Sequence, residues 1–168
     1  DDPLDALARL GAAGRNRLAG KMVGITGSVG KTGSKDMLAH ALAAFGKTHA
    51  SQRSFNNHIG VPITLATLAA DCDFTVQEIG MNAAGEIATL TALARPDIAL
   101  ITRIASTHSS FFDSLDDIAK AKAEIFQGLN AGGTAILNID DPFYYQLASA
   151  ATKAGAGRII SFGQKDDA

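Results

Sequence analysis

Five short apolar runs punctuate the chain at regular intervals, at residues 22–26, 74–79, 98–102, 134–138 and 158–162. They are short enough for strands, and they read as near-continuous hydrophobic segments, as expected of strands covered on both faces. Between them, residues 35–45, 61–69, 85–94, 115–129 and 142–154 carry apolar positions at helical spacing. In the fourth of these stretches Ile118, Ala121, Ile125 and Leu129 fall on one face. Residues 48–50 add a short further strand, and an amphipathic stretch over 4–18 precedes the first run. Strand alternating with helix predicts an α/β fold, a doubly wound and mostly parallel sheet with crossover helices. Gly46 as a helix stop, Pro96 before a strand, the Gly132-Gly133 turn and Asp141-Pro142 as a helix start agree with these boundaries. The polar interval 51–60 is the candidate binding loop.

At 168 residues and 46% apolar content the chain suits one domain with a real core. Fifteen basic against seventeen acidic residues give a net charge of -2 with no basic cluster, which argues against a nucleic-acid partner. The single Cys72 forms no internal disulfide and has no companion for a cysteine zinc site, so a reducing, cytoplasmic setting is expected. No window approaches the roughly 20 apolar residues of a membrane span, and residues 1–3 carry no signal-peptide pattern. A soluble protein without membrane contact is the expectation. The absence of an initiating Met and the character of residues 4–18 suggest a piece of a longer chain.

Chemistry concentrates where the strands end, since ligands of open α/β sheets sit beyond the carboxyl ends of the strands. After the first run comes Thr26-Gly27-Ser28-Val29-Gly30-Lys31-Thr32, followed directly by a helical stretch. Glycines let backbone N–H groups close around phosphate oxygens, the helix start adds its positive end, Lys31 adds a mobile charge and Thr32 offers a hydroxyl to Mg²⁺. The turn is shorter than the general phosphate-loop pattern, which would place its first glycine at Ile25. ATP or GTP binding is the functional reading; a glycine turn that only lets a helix pack on a sheet is the structural one.

The later strand ends deliver Glu78, the 102–108 segment with His108, and Asn138 with Asp140 toward the same rim. Thr32 and Glu78 supply two oxygen ligands for Mg²⁺, although a solvated rim glutamate fits the same pattern. His108 alone reads more readily as a hydrogen-bonded loop residue than as a ligand. Helical spacing puts Lys122 near the border of the apolar stripe and Lys120 further outward, where either could be an ordinary snorkelling lysine.

The residues Gly24 to Thr32, Asn56-Asn57-His58-Ile59-Gly60-Val61-Pro62, Glu78-Ile79-Gly80-Met81-Asn82, Ala94-Arg95-Pro96-Asp97, Ala121-Lys122-Ala123-Glu124-Ile125-Phe126 and Leu137 to Pro142 together resemble the central domain of the Mur ligases. Within that family the asparagine and Glu78 segments are most similar to the type that adds D-alanyl-D-alanine. The resemblance implies ATP-driven amide-bond formation in peptidoglycan synthesis. A carboxylate of UDP-N-acetylmuramoyl-tripeptide is phosphorylated, and the amine of D-alanyl-D-alanine attacks the acyl phosphate. It implies that Gly27, Ser28, Val29, Gly30, Lys31 and Thr32 hold the nucleotide phosphates, with Asn138 and Asp140 on the nucleotide side. Thr32 and Glu78 would bind one Mg²⁺, and His108 a second. Lys122 matches a lysine that becomes carbamylated and so serves as an anionic metal ligand. Asn56, Asn57 and His58 would lie on the muramoyl-peptide side.

The resemblance further implies that residues 1–20 end a preceding region or linker helix and that 21–168 are a partial, truncated central domain. The UDP-sugar-binding and C-terminal domains would be absent, and the isolated piece would turn over weakly or not at all. A monomer is expected. The sequence departs from the family in having Gly33 after Gly-Lys-Thr, Arg103 where a smaller or uncharged residue is usual, and no Leu-Glu after His108. A P-loop kinase of small metabolites or a non-enzymatic nucleotide-binding module are the alternatives from other classes.

Overall fold

The computed structural model of the chain describes residues 2–106 and 112–165. All expected strands form: β1 (Lys21–Thr26), β2 (Thr48–Ala50), β3 (Phe74–Glu78), β4 (Ile98–Ile101), β5 (Thr134–Asn138) and β6 (Arg158–Phe162). The helices are α1 (Pro3–Arg17), α2 (Lys31–Leu42), α3 (Gly60–Ala66), α4 (Glu86–Ala94), α5 (Leu115–Ala123) and α6 (Tyr144–Lys153), and a 3-10 turn over Glu124–Gly128 follows α5. The six strands make one parallel sheet in the order β2-β3-β1-β4-β5-β6. Strand order reverses about β1, so the turn after β1 opens at the switch point where such sheets bind ligands.

Strand side chains alternate between two covers. Val23, Ile25 and Val76 pack with Leu38, Ala39 and Leu42 of α2 on one face. Met22, Ala99, Ile101, Ala135 and Leu137 join the larger core on the other face, under helices that include α3, α4, α5 and α6. Ile25 is fully buried within β1. That burial explains why the position where a longer phosphate loop carries glycine is apolar here: it belongs to the strand.

Several boundaries differ from the sequence expectation, among them the ends of α2 at Leu42 and α3 at Ala66, and three have a clear local reason. α2 begins at Lys31, not 35, because Gly30 adopts φ 84° and turns the chain straight into the helix. The stretch expected as one helix over 115–129 changes to 3-10 geometry at Glu124. There the Glu124 carboxylate accepts from the N–H groups of Gly85 and Ala88 at the start of α4, and Gly128 lies against the Thr91 backbone. α6 begins at Tyr144, because Asp141 Oδ1 accepts from Phe143 N and holds residues 141–143 in a turn.

α1 starts on an Asp2 cap followed by Pro3 and lays Gly11 and Gly14 against α3; a Cβ on Gly14 would stand 1.9 Å from the Leu65 carbonyl oxygen. Arg15, 8% exposed, donates to the carbonyls of Ala94 (2.6 Å) and Arg95 (2.8 Å). A guanidinium at the carboxyl end of α4 meets both its orphan carbonyls and its dipole. None of the described helices is long and apolar enough to cross a membrane.

Candidate functional site

The turn after β1 is built by backbone geometry. Gly27 has φ 147°, and a Cβ there would fall 1.9 Å from Thr102 Oγ1. Thr102, just past β4, lies within hydrogen-bond distance of the carbonyls of Val29 (2.6 Å) and Thr26 (3.3 Å), and Ser28 N donates to Arg103 O at 2.7 Å. The turn is therefore fastened to the neighbouring strand end. Arg103 contributes its main chain to this, which makes its side-chain identity less restrictive than the family pattern suggests.

From this turn α2 projects Lys31 and Thr32. Lys31 Nζ donates to Gly27 O at 2.9 Å, and burial lowers its pKa against the opposing pull of Glu78. Thr32 Oγ1 donates to Glu78 Oε2 at 2.8 Å, while Asn56 Nδ2 donates to Glu78 Oε1 at 2.7 Å. Glu78 is 1% exposed, and among the described residues no lysine, arginine or histidine nitrogen lies within 4 Å of it. This buried carboxylate has neutral donors on both oxygens and no ion-pair partner among the described residues, and with the Thr32 hydroxyl beside it the pair fits a hard divalent cation. The described residues hold no cluster of three or more His, Cys, Asp or Glu, so such a cation would take its further ligands from phosphate and water.

Lys122, on α5, is 2% exposed rather than at the border of the apolar stripe. It lines one cavity of about 130 Å³ with Lys31, Asn56, Asn57, Gly80, Met81, Asn82 and Glu86. Burial, and then the charge of Lys31, lower its pKa from 10.5 to about 7. Lys120 points outward and pairs with Asp116 and Asp117.

The structure thus brings Lys31, Lys122, Asn56 and Asn57 to one cavity and ties Glu78 and Thr32 to its edge. Asn57 Oδ1 also accepts from Ile59 N and Gly60 N, which starts α3. His58 faces a separate cavity with Glu86, Thr89 and Leu90. Asn138 and Asp140 stand apart from the lysine cavity. Asn138 Nδ2 donates to Thr102 O and its Oδ1 accepts from Asp140 N, whereas both Asp140 oxygens accept from the N–H groups of Gln164 and Lys165. Asn138 therefore reaches the glycine turn only through Thr102. His108 lies outside the described residues.

Several residues that hold the site were not singled out for that role in the sequence. Thr102, Asp141, whose Oδ2 accepts from Ile104 N, and Lys35 each act on a main-chain group distant in sequence. Only Lys35 had a local cue, its i, i+4 spacing from Lys31 on one helix face.

A parallel sheet with a glycine turn at its switch point, a lysine and a hydroxyl at the helix start and a carboxylate on the adjoining strand define a nucleotide-binding α/β domain of the P-loop kind. Residues 25–168 match the Mur ligase middle domain, and the chain belongs to that family. It is 40% identical over 167 residues, 99% of its length, to the UDP-N-acetylmuramoyl-tripeptide--D-alanyl-D-alanine ligase of Bacillus subtilis. A crystal structure of MurF from Acinetobacter baumannii superposes over 99% of the chain with TM-score 0.89 at 34% identity. MurF from Thermotoga maritima, solved in complex with ADP, does so with TM-score 0.87 at 27% identity. The chain spans only 36% of the Bacillus enzyme, 36% of the Acinetobacter chain and 38% of the Thermotoga chain.

Proposed function

We propose that the chain is the nucleotide-binding middle part of a ligase that joins D-alanyl-D-alanine to UDP-N-acetylmuramoyl-tripeptide in peptidoglycan synthesis, with ATP as the phosphoryl donor. The observation that carries this reading is the meeting of Lys31 and Lys122 in one cavity beside the Glu78, Asn56 and Thr32 cluster. A metabolite kinase of the P-loop kind has no need of Lys122, and a passive nucleotide module has no use for Glu78 and His108 together. Residues 1–20 are assigned as the linker helix and 21–168 as part of the middle domain.

The N–H groups of Gly27, Val29 and Gly30 and the Lys31 ammonium receive the β and γ phosphates, while the Ser28 N–H stays on Arg103 O and fastens the turn. Thr32 and Glu78 would hold one Mg²⁺, with Lys122 as its carbamate and His108 serving a second. When bound, the metal neutralises phosphate charge and orients the γ-phosphoryl group. Asn56 orients the Glu78 carboxylate, and Asn57 and His58 face the muramoyl-peptide side. Asn138 and Asp140 are assigned to the nucleotide side, with Asn138 acting through Thr102.

The lowered pKa of Lys122 leaves a large neutral fraction near pH 7. A neutral amine attacks CO₂, forming an N–C bond and releasing a proton, and the product is an anion. The carbamate and Lys31 then form an opposite-charge pair, which removes the Lys31 repulsion that, after burial, lowers the pKa of the amine. Phosphoryl transfer to the peptide carboxylate is then a matter of alignment and charge neutralisation.

The test is phosphate release by the full-length protein. Release that requires both UDP-N-acetylmuramoyl-tripeptide and D-alanyl-D-alanine is expected. Transfer to a hydroxyl acceptor with neither present would overturn the reading.

A further inference from the structure

The loop that carries Asn56 is held by a buried lysine that the nucleotide site does not use. Lys35 lies one turn beyond Lys31 on α2 and is 2% exposed. Its Nζ donates to Ser51 O at 2.8 Å and to Arg53 O at 3.0 Å, and it stands 3.2 Å from Asp36 Oδ1. An ammonium has three donors, so these three acceptors satisfy it. The Asp36 side chain is largely exposed, so the carbonyls of the 51–53 segment are the partners that burial makes indispensable. Arg53 adopts φ 47°, a left-handed conformation uncommon for a non-glycine residue, and Lys35 grips the carbonyls of Ser51 and of Arg53 itself.

From this anchor the loop runs directly to the candidate cation site. Ser51 Oγ accepts from Glu78 N at 3.2 Å, Gln77 Nε2 donates to Phe55 O at 3.0 Å and Gly80 N donates to Asn56 O at 2.8 Å. Asn56 then meets Glu78, and Glu78 meets Thr32 on α2. Thr32 and Lys35 are three residues apart and share a helix face. The contacts close a ring: α2 to loop through Lys35, loop to β3 through Asn56, and β3 back to α2 through Thr32.

We propose that Lys35 is a positioning residue that sets Asn56 on Glu78 and couples the 51–57 loop, on the acceptor side, to the helix that starts in the phosphate turn. The metal consequence rests on the reading of Glu78 as a cation ligand. The coupling of Lys35 to the loop does not.

The experiment uses the whole chain as wild type, Lys35→Met, Lys35→Gln, Asn56→Ala and the Lys35→Met/Asn56→Ala double variant. Amide hydrogen exchange is measured on residues 51–57, and ADP binding is measured by calorimetry with and without Mg²⁺. In Lys35→Met, exchange over 51–57 rises roughly tenfold while that of α6 is unchanged. The gain in ADP affinity conferred by Mg²⁺ falls about fivefold or more, as for loss of a ligand-orienting partner. Asn56→Ala alone reproduces that fall, and adding Lys35→Met deepens it by less than about twofold. Lys35→Gln, which keeps two donors, recovers about half of the loop protection. Unchanged exchange over 51–57, or losses that multiply independently in the double variant, would overturn the proposal. If Lys35→Met loses its far-ultraviolet helix signal, Lys35→Gln against wild type decides the question on the same readouts. If the wild-type chain gains no ADP affinity from Mg²⁺, the cation reading of Glu78 fails, and the exchange measurements still decide the role of Lys35.

Discussion

Asn56 and Glu78 are 22 residues apart in sequence, and the asparagine amide donates to the buried carboxylate at 2.7 Å. With Thr32 on the other oxygen, both sides of Glu78 are oriented by neutral donors, so its geometry is fixed and its charge remains available. A lysine or arginine in either place would have fixed the geometry and consumed the charge.

Glu78→Gln removes that charge while keeping the shape. ADP affinity measured with Mg²⁺ is expected to fall about tenfold or more, with little change when a chelator replaces the metal. Calorimetric titration under the two conditions checks it, and an equal loss in both would show that Glu78 acts on the nucleotide without a cation.

Lys122 makes stability depend on pH. Its folded-state pKa is lowered to about 7 from 10.5, so between these values the unfolded chain binds more protons than the folded one. Stability therefore rises with pH across that window, and below it the full burial penalty of the charged amine is present. Lys122→Met is expected to raise the urea midpoint at pH 6 and to flatten the rise toward pH 9.5.

On the proposed ligase reading, the full-length protein carrying Lys122→Ala is expected to lose most turnover and to regain part of it with added short carboxylates, which would stand in for the oxygens of a carbamate. Turnover equal to wild type would remove Lys122 from the mechanism.

Two glycines of the first turn region should respond oppositely to alanine. Gly27→Ala places a methyl against Thr102 and imposes a positive φ, and a loss of about 2 kcal/mol is expected. Gly33 lies inside α2 with open space where its Cβ would stand, so Gly33→Ala is expected to stabilise by about 0.5–1 kcal/mol. Equilibrium urea unfolding of the two variants checks both signs.

Arg15 acts at the opposite end of the sheet from the nucleotide turn. Arg15→Met orphans the carbonyls of Ala94 and Arg95, at a cost of about 2–3 kcal/mol. ADP affinity should stay at the wild-type level, since none of these groups lines the lysine cavity.

Most strands were legible because both faces of the sheet are covered, which makes β1, β4 and β5 near-continuous apolar runs, whereas β3 carries Thr75, Gln77 and Glu78 and the edge strand β2 is only Thr-His-Ala. The glycine turn was legible because backbone approach to phosphate demands residues without a Cβ. Helix ends were less so: the Glu124 carboxylate accepts from the start of α4 and Asp141 Oδ2 from Ile104 N, contacts distant in sequence that no local pattern announces.

By itself the sequence determined the α/β alternation and the phosphate turn with Lys31 and Thr32, because periodicity and glycine placement are local properties of the chain; it left Glu78 and Lys122 open until the family resemblance singled them out. Only the tertiary structure decided that Lys122 is buried against Lys31, that Asn56 meets Glu78 and that Lys35 holds the loop between them. Those relationships depend on strand order and helix packing, which bring together groups tens of residues apart and remove them from water. Burial then lowers the pKa of Lys122 and turns the Lys35 ammonium onto the loop carbonyls.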